Sequence, residues 1–149
     1  MILRNMRLII LTLFISVILL SCDTTKLGKT KSTQFDGFWR IENRDIYEGM
    51  EIEIKNTEEN KFVGVITKLN DNKFVKMFMN VGDKIVTDIS RKSNFQFILK
   101  ERKIASELFS AYGQNTTQEY RVVFENKNQI NLGKNGGKGR YIRIEESIE

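Results

Sequence analysis

The sequence predicts an all-β fold of about eight or nine short strands, arranged as an up-and-down antiparallel barrel or as a sandwich. Three observations predict it. From Phe35 onward apolar residues recur with period two; Asn, Asp and Gly clusters break the runs; and the links are mostly of hairpin length, which favours the meander of a barrel. No internal repeat of useful length appears, which weakens a propeller or solenoid.

Gly37 to Glu42 starts the series. Met50, Ile52 and Ile54 alternate with Glu51, Glu53 and Lys55, one face buried and one wet. In the next run Val63, Val65, Thr67 and Leu69 oppose Phe62, Gly64, Ile66 and Lys68, so both faces carry apolar residues. Asn70-Asp71-Asn72 reads as a hairpin loop, because Asn and Asp tolerate left-handed backbone angles. Phe74 to Val81 then reads as a further strand, with Val75, Met77, Met79 and Val81 opposite Phe74, Lys76, Phe78 and Asn80. Gly82-Asp83 turns the chain into Ile85, Thr87 and Ile89, and Arg91 to Asn94 turns it into Phe95, Phe97 and Leu99. Ile104, Leu108, Ala111 and Tyr112 fit a helical stripe better than an alternation, which predicts a short helix or an irregular crossover. Tyr120, Val122 and Phe124 return to strand, and Gln129 to Leu132 follows a turn at Asn126 to Asn128. The glycine-rich loop Gly133 to Gly139 leads to a last strand, Arg140 to Glu145.

The N-terminal part is different in kind. Arg4 and Arg7 precede an apolar stretch, Leu8 to Leu20, and a small residue, Ser21, precedes Cys22, the single cysteine. Residues 1–21 therefore read as a secretory signal peptide, too short and one-sided for a permanent span. Leu19-Leu20-Ser21-Cys22 resembles the lipobox of bacterial lipoproteins. The resemblance implies a diacylglycerol on the Cys22 thiol, fatty acyl chains such as palmitate, cleavage just before Cys22, and a protein of the cell envelope lipid-anchored to the outer or the inner membrane. Asp23 resembles the inner-membrane retention signal of enterobacterial lipoproteins. An acylated Cys22 leaves no thiol for a disulfide, so the domain has to cohere through its core. Residues 22–34, rich in Thr, Lys and Ser, bury too little to offset their ordering entropy and read as a flexible tether. Residues 35–149 are one domain's worth of chain.

Composition excludes several function classes. Of 24 basic residues the mature chain loses Arg4 and Arg7 and keeps all 19 acidic ones, a surplus of +3. That surplus suits an anionic membrane surface and is too small and dispersed for nucleic acid. Histidine is absent, removing the commonest general base and metal ligand. A nucleophile would need a Ser-Lys or carboxylate pair; Asp88, Glu101 and Glu107 are each flanked by residues of a solvated face, so no catalytic residue, metal or cofactor is expected. The Gly133 to Gly139 loop lacks the spacing of a nucleotide cradle and reads as a hairpin tip. Asn115-Thr116-Thr117 matches a glycosylation acceptor but reads as loop.

Asp36-Gly37-Phe38-Trp39-Arg40 places a Gly-x-Trp at the start of the first strand, and Tyr141-Ile142-Arg143 lies in the last. Together they resemble the lipocalin-like, or calycin, barrels. The resemblance implies a small all-β, up-and-down antiparallel barrel of about eight strands with one short helix. It also implies a tryptophan that plugs the closed end, with the guanidinium of Arg140 or Arg143 laid over the indole. Two functions follow as expectations. In the first, the barrel of a membrane-anchored protein binds a small hydrophobic ligand or a partner, with Trp39, Phe62, Phe74, Met77, Phe78, Phe97 and Arg143 as the ligand-binding set; Met79 and Phe95 belong to the same apolar pool. In the second, the barrel is filled and serves as a protein-contact, inhibitor or immunity module.

Overall fold

Eight antiparallel strands, each hydrogen-bonded to its neighbours in sequence, close into a barrel. They are β1 (Gly37–Glu42), β2 (Glu51–Asn56), β3 (Phe62–Lys68), β4 (Lys84–Arg91), β5 (Gln96–Arg102), β6 (Thr117–Asn126), β7 (Gln129–Leu132) and β8 (Arg140–Ile144). β8 returns to β1, with Arg143 opposite Trp39 and Tyr141 opposite Ile41. The expected small, up-and-down, lipocalin-like barrel is therefore the observed fold, the sandwich is not, and closure leaves no free sheet edge. The computed structural model describes residues 28–57 and 61–146. The signal segment, Cys22 and the first part of the tether lie outside the described residues.

Period-two patterning decides the inside. In β3 Phe62, Gly64 and Ile66 face in while Val63 and Val65 are half-buried outside, and in β5 Phe97, Leu99 and Glu101 share the inner face. Trp39, Ile41, Ile52, Ile54, Ile66, Leu99, Val122, Ile130, Leu132 and Tyr141 complete one contiguous core. Burying each large side chain contributes about 1.5–3 kcal/mol as an upper bound, which is how the barrel coheres without a disulfide.

The links differ at the two ends. The links after β2, β4 and β6 are the shorter ones. After β1, β3, β5 and β7 the chain makes longer loops, which hold helices α1 (Lys73–Phe78) and α2 (Ser106–Ala111) and a 3-10 turn at Lys134–Gly136. We refer to these as the closed end and the loop end.

Two expectations need correction. The strand expected over Phe74 to Val81 is α1: the Asn72 side chain accepts from the backbone N–H groups of Phe74 (2.9 Å) and Val75 (3.4 Å), an N-cap that commits the chain to a helix. Val75 and Met79, four apart, are the buried pair, and Phe74 and Met77 turn outward. The tether expected to end at Gln34 is fastened to the barrel from Thr30. Thr30 N–H donates to Asn94 O (3.0 Å), and Ser32–Phe35 forms a 3-10 turn that buries Phe35.

Candidate functional site

The closed end is built from aromatic rings and sealed by two arginines. Trp39 is fully buried and donates its indole N–H to Phe35 O (2.8 Å). Phe35 packs edge-on against Phe97 at 4.9 Å between ring centres and lies 4.7 Å from Phe124 and 5.9 Å from Phe62. Of the two arginines expected over the indole, Arg143 takes the place, 4.2 Å from the ring centre, while Arg140 pairs with Glu42 (3.0 Å). The Arg143 guanidinium also donates to Asp36 O (2.7 Å), Gln34 O (2.5 Å) and Lys127 O (3.1 Å). Burial draws its pKa downward, partly opposed by Asp36. Gly37, at φ +128°, leaves the room this requires: a Cβ there would sit 2.5 Å from Arg143 Nη1. Arg91 does the same over Phe97 (4.5 Å) and holds Thr30 O (2.6 Å) and Ser32 Oγ (3.1 Å).

The loop end is closed by ions instead. Arg44, on the β1–β2 loop, folds into the barrel mouth and forks onto Glu101 at 2.6 and 2.7 Å, with its other nitrogen donating to Tyr120 Oη (3.0 Å). Tyr141 Oη donates to the same carboxylate. The guanidinium lies between the rings of Tyr47 and Tyr120, 4.9 and 5.0 Å from their centres. Gly139, at φ +103°, is needed here because a Cβ would overlap Arg44 Cγ. Burial works most strongly against the Arg44 charge, but Glu101, Tyr141 and Tyr120 together outweigh it and the guanidinium pKa is raised. Burial first, and then the Glu101 charge, pushes the Tyr141 hydroxyl well above its ordinary range; Tyr47 and Tyr120 rise too, chiefly by burial. Glu101 has no solvent exposure, so its expected place on a solvated face is wrong. Alternation with Phe97 and Leu99 carries it inside, where Arg44 neutralises it.

Chemically this cluster holds rather than reacts. The carboxylate is doubly bonded to a guanidinium and the tyrosine proton is held by that carboxylate, so neither is free as a base or acid. Among the described residues no group of three or more His, Cys, Asp or Glu is placed to hold a metal ion.

The expected ligand-binding set is not brought together. Trp39, Phe62 and Phe97 are core at the closed end, with Arg143 over Trp39 and Arg91 over Phe97. Phe74 and Met77 stand outside the barrel, 62% and 69% exposed, and Phe78 is half-buried beside them in α1. Phe95, at a closed-end turn, is exposed as well, whereas Met79 is buried. What the sequence reading missed is the loop-end surface. Ile46, Phe74, Met77, Val81, Leu108 and Tyr112 are all exposed, all at that end, and Tyr112 is 81% exposed. Between α1 and α2 runs a cleft of about 270 Å³, walled by Met77 and Leu108 with Asn80, Asp83 and Ser106. A wider, polar groove of about 650 Å³ lies on the outside of β6 to β8, lined by Glu125, Gln129, Asn131, Asn135 and Arg140. The glycine-rich loop, a link between β7 and β8, forms its upper wall.

Comparison with protein-family models, with curated proteins and with solved structures finds no match for this chain.

Proposed function

We propose that this chain is a lipid-anchored envelope protein, held through Cys22 outside the cytoplasm, whose filled barrel acts by outer-surface contact with a protein. It catalyses no reaction and carries no ligand inside. The observation that supports this reading best is the occupied interior. The inward positions belong to one contiguous core, aromatic rings and two arginines cover one end, and Arg44 and Glu101 stop the other. A hydrophobic ligand would have to displace side chains already buried, without regaining their packing. The Leu19-Leu20-Ser21-Cys22 sequence supports the anchor, and no described helix is long and apolar enough to cross a membrane.

Native mass spectrometry of the full-length product from its own host tests both halves. The expected mass is a diacylglycerol-modified chain beginning at Cys22, with no organic molecule retained. Stoichiometric retention of a small hydrophobic compound would overturn the filled-barrel half. Cys22→Ser is expected to stay unprocessed and to take up no radiolabelled palmitate; normal labelling would overturn the anchor.

A further inference from the structure

The turn between β4 and β5, where the tether meets the closed end, is cationic and holds an aromatic ring out to solvent. We propose that this turn is a bilayer-contact site, at which Phe95 enters the headgroup region of an anionic membrane and Lys29, Lys31 and Lys92 meet the lipid phosphates. The proposal rests on the Cys22 lipid anchor and specifies which face of the barrel that anchor presents to the membrane.

The exposure of Phe95 is built into the turn. Strand alternation would carry it inward with Phe97 and Leu99, yet it is 49% exposed. The Ser93 hydroxyl accepts from the backbone N–H groups of Phe95 (3.3 Å) and Gln96 (3.1 Å), and the N–H groups of Lys92 and Ser93 donate to Gln96 O (2.9 and 3.0 Å). The turn therefore closes at Gln96 and leaves Phe95 outside. Arg91 fixes it from beneath: one guanidinium nitrogen donates to Ser93 O (3.2 Å) and Asn94 O (3.3 Å), while the other holds Thr30 O and Ser32 Oγ. A ring held out in this way meets an interface without the ordering cost of a loose loop, and an aromatic ring is the side chain best suited to the headgroup level.

Charge and the path of the chain select the occupant. Lys29, Lys31 and Lys92 are exposed, and no carboxylate occurs in residues 28–35 or 91–99. The other closed-end links are mixed in sign, with Glu58, Glu59 and Lys61 after β2 and Glu125 beside Lys127 at the end of β6. Asp36 and Glu145 flank the β8–β1 seam, across the barrel from the β4–β5 turn. A second copy docked on the same turn would bring lysines against lysines, so the complement is an anionic surface of another kind. The tether then decides between a protein and a bilayer. Thr30 is fixed to this turn by Asn94 and Arg91, and the eight residues from Cys22 to Thr30 reach at most about 28 Å when fully extended. A lipid on Cys22 keeps the bilayer within reach of Phe95 and the lysines at all times, so even a weak contact is made there at high effective concentration. Its consequence is orientation: the β4–β5 turn faces the membrane, and the loop end, with its exposed apolar residues, faces the aqueous phase.

The test is photocrosslinking of the full-length product, purified from its own host and reconstituted in vesicles of phosphatidylcholine with phosphatidylglycerol or of phosphatidylcholine alone. A photoreactive phenylalanine analogue is placed at position 95, and at position 112 on the loop end as the comparison. The expected result is a phospholipid adduct at 95 in the mixed vesicles and none at 112. Lys29→Gln and Lys92→Gln should each lower that yield about fivefold, the scale of one lysine at an anionic leaflet, and leave the thermal midpoint unchanged. Equal yields at 95 and 112, an undiminished yield in phosphatidylcholine alone, or an adduct of twice the chain's own mass at 95 overturns the proposal. So does a protein adduct in place of lipid when position 95 is irradiated in the host's own cells. Flotation separates the two readings: a chain that floats with the vesicles but gives no lipid adduct at 95 removes the contact and keeps the anchor, whereas a chain that carries no lipid and does not float removes both.

Discussion

The two ends of this barrel solve the same problem with opposite chemistry. At the closed end, Trp39, Phe35, Phe97 and Phe124 fill the space with rings, and Arg143 and Arg91 lie over the outside, bonding backbone carbonyls that tie the incoming chain down. At the loop end a guanidinium is inside, on a carboxylate with no exposure. Rings need only be packed; a buried ion pair must be complete, because removing one member strands the other in low dielectric. The difference extends to the backbone. The described non-glycine residues with positive φ, Asn43, Ala105 and Asn135, all lie in loop-end links, and so do most of the exposed large apolar residues. One end fixes the incoming chain against packed rings, and the other holds its loops in shapes that expose apolar surface.

That contrast can be broken in order of expected effect. Arg44→Ala should cost about 3–5 kcal/mol in urea unfolding, because Glu101 is left buried without its countercharge, and Arg44→Met combined with Glu101→Leu should recover most of the loss. Equal destabilisation by the double variant would mean that the pair contributes more than its own completeness. Arg143→Ala at the closed end should cost less, about 1–3 kcal/mol, since the rings beneath it remain packed and the freed carbonyls reach water. A loss as large as that of Arg44→Ala would erase the distinction between an outer cover and an inner stop.

The loop end also has a pH signature. Tyr141, Tyr47 and Tyr120 resist ionisation in the fold, while in the unfolded chain they ionise near 10.0. Their contribution is fully present below pH 10.0 and is lost as pH rises from there toward the folded values. Tyr141, the fully buried one, steepens the decline by up to about 1.4 kcal/mol per pH unit, and the partly exposed Tyr47 and Tyr120 add less. Urea unfolding across this range should show a shallower decline for Tyr141→Phe than for the parent chain; identical slopes would remove the buried hydroxyl from the account. The smallest effect is expected outside: Met77→Ser should change stability by no more than about 0.5 kcal/mol in the same assay, as for an exposed side chain.

Most of the barrel was legible in the sequence because period-two alternation is the physics of a half-buried strand, and β1 to β3 and β5 to β8 follow it. The Gly-x-Trp and the arginine over it were legible for a related reason, since Trp39 and Arg143 are direct neighbours across β1 and β8. The α1 segment was not, because Phe74 to Met79 is apolar at nearly every position and satisfies both periods; only the cap at Asn72 separates them, and Asn also reads as a turn. Glu101 was misread from its charged neighbours Lys100 and Arg102, although alternation with Phe97 and Leu99 placed it inside. Arg44 and Tyr47 sit in a loop, where no periodicity says which side chain folds inward. The exposed α1–α2 face is the consequence of the same ambiguity: Phe74 and Met77 are lining residues if the segment is a strand and surface residues if it is a helix.

The central claim, that the interior belongs to the protein's own side chains, is open to one direct measurement, because the chain has a single tryptophan and it is fully buried in the barrel. Titration with brominated fatty acids, whose bromines quench indole fluorescence at close range, should leave Trp39 emission unchanged up to the solubility of the lipid. Saturable quenching at one lipid per chain would show that the barrel opens to a ligand, and would contradict the account.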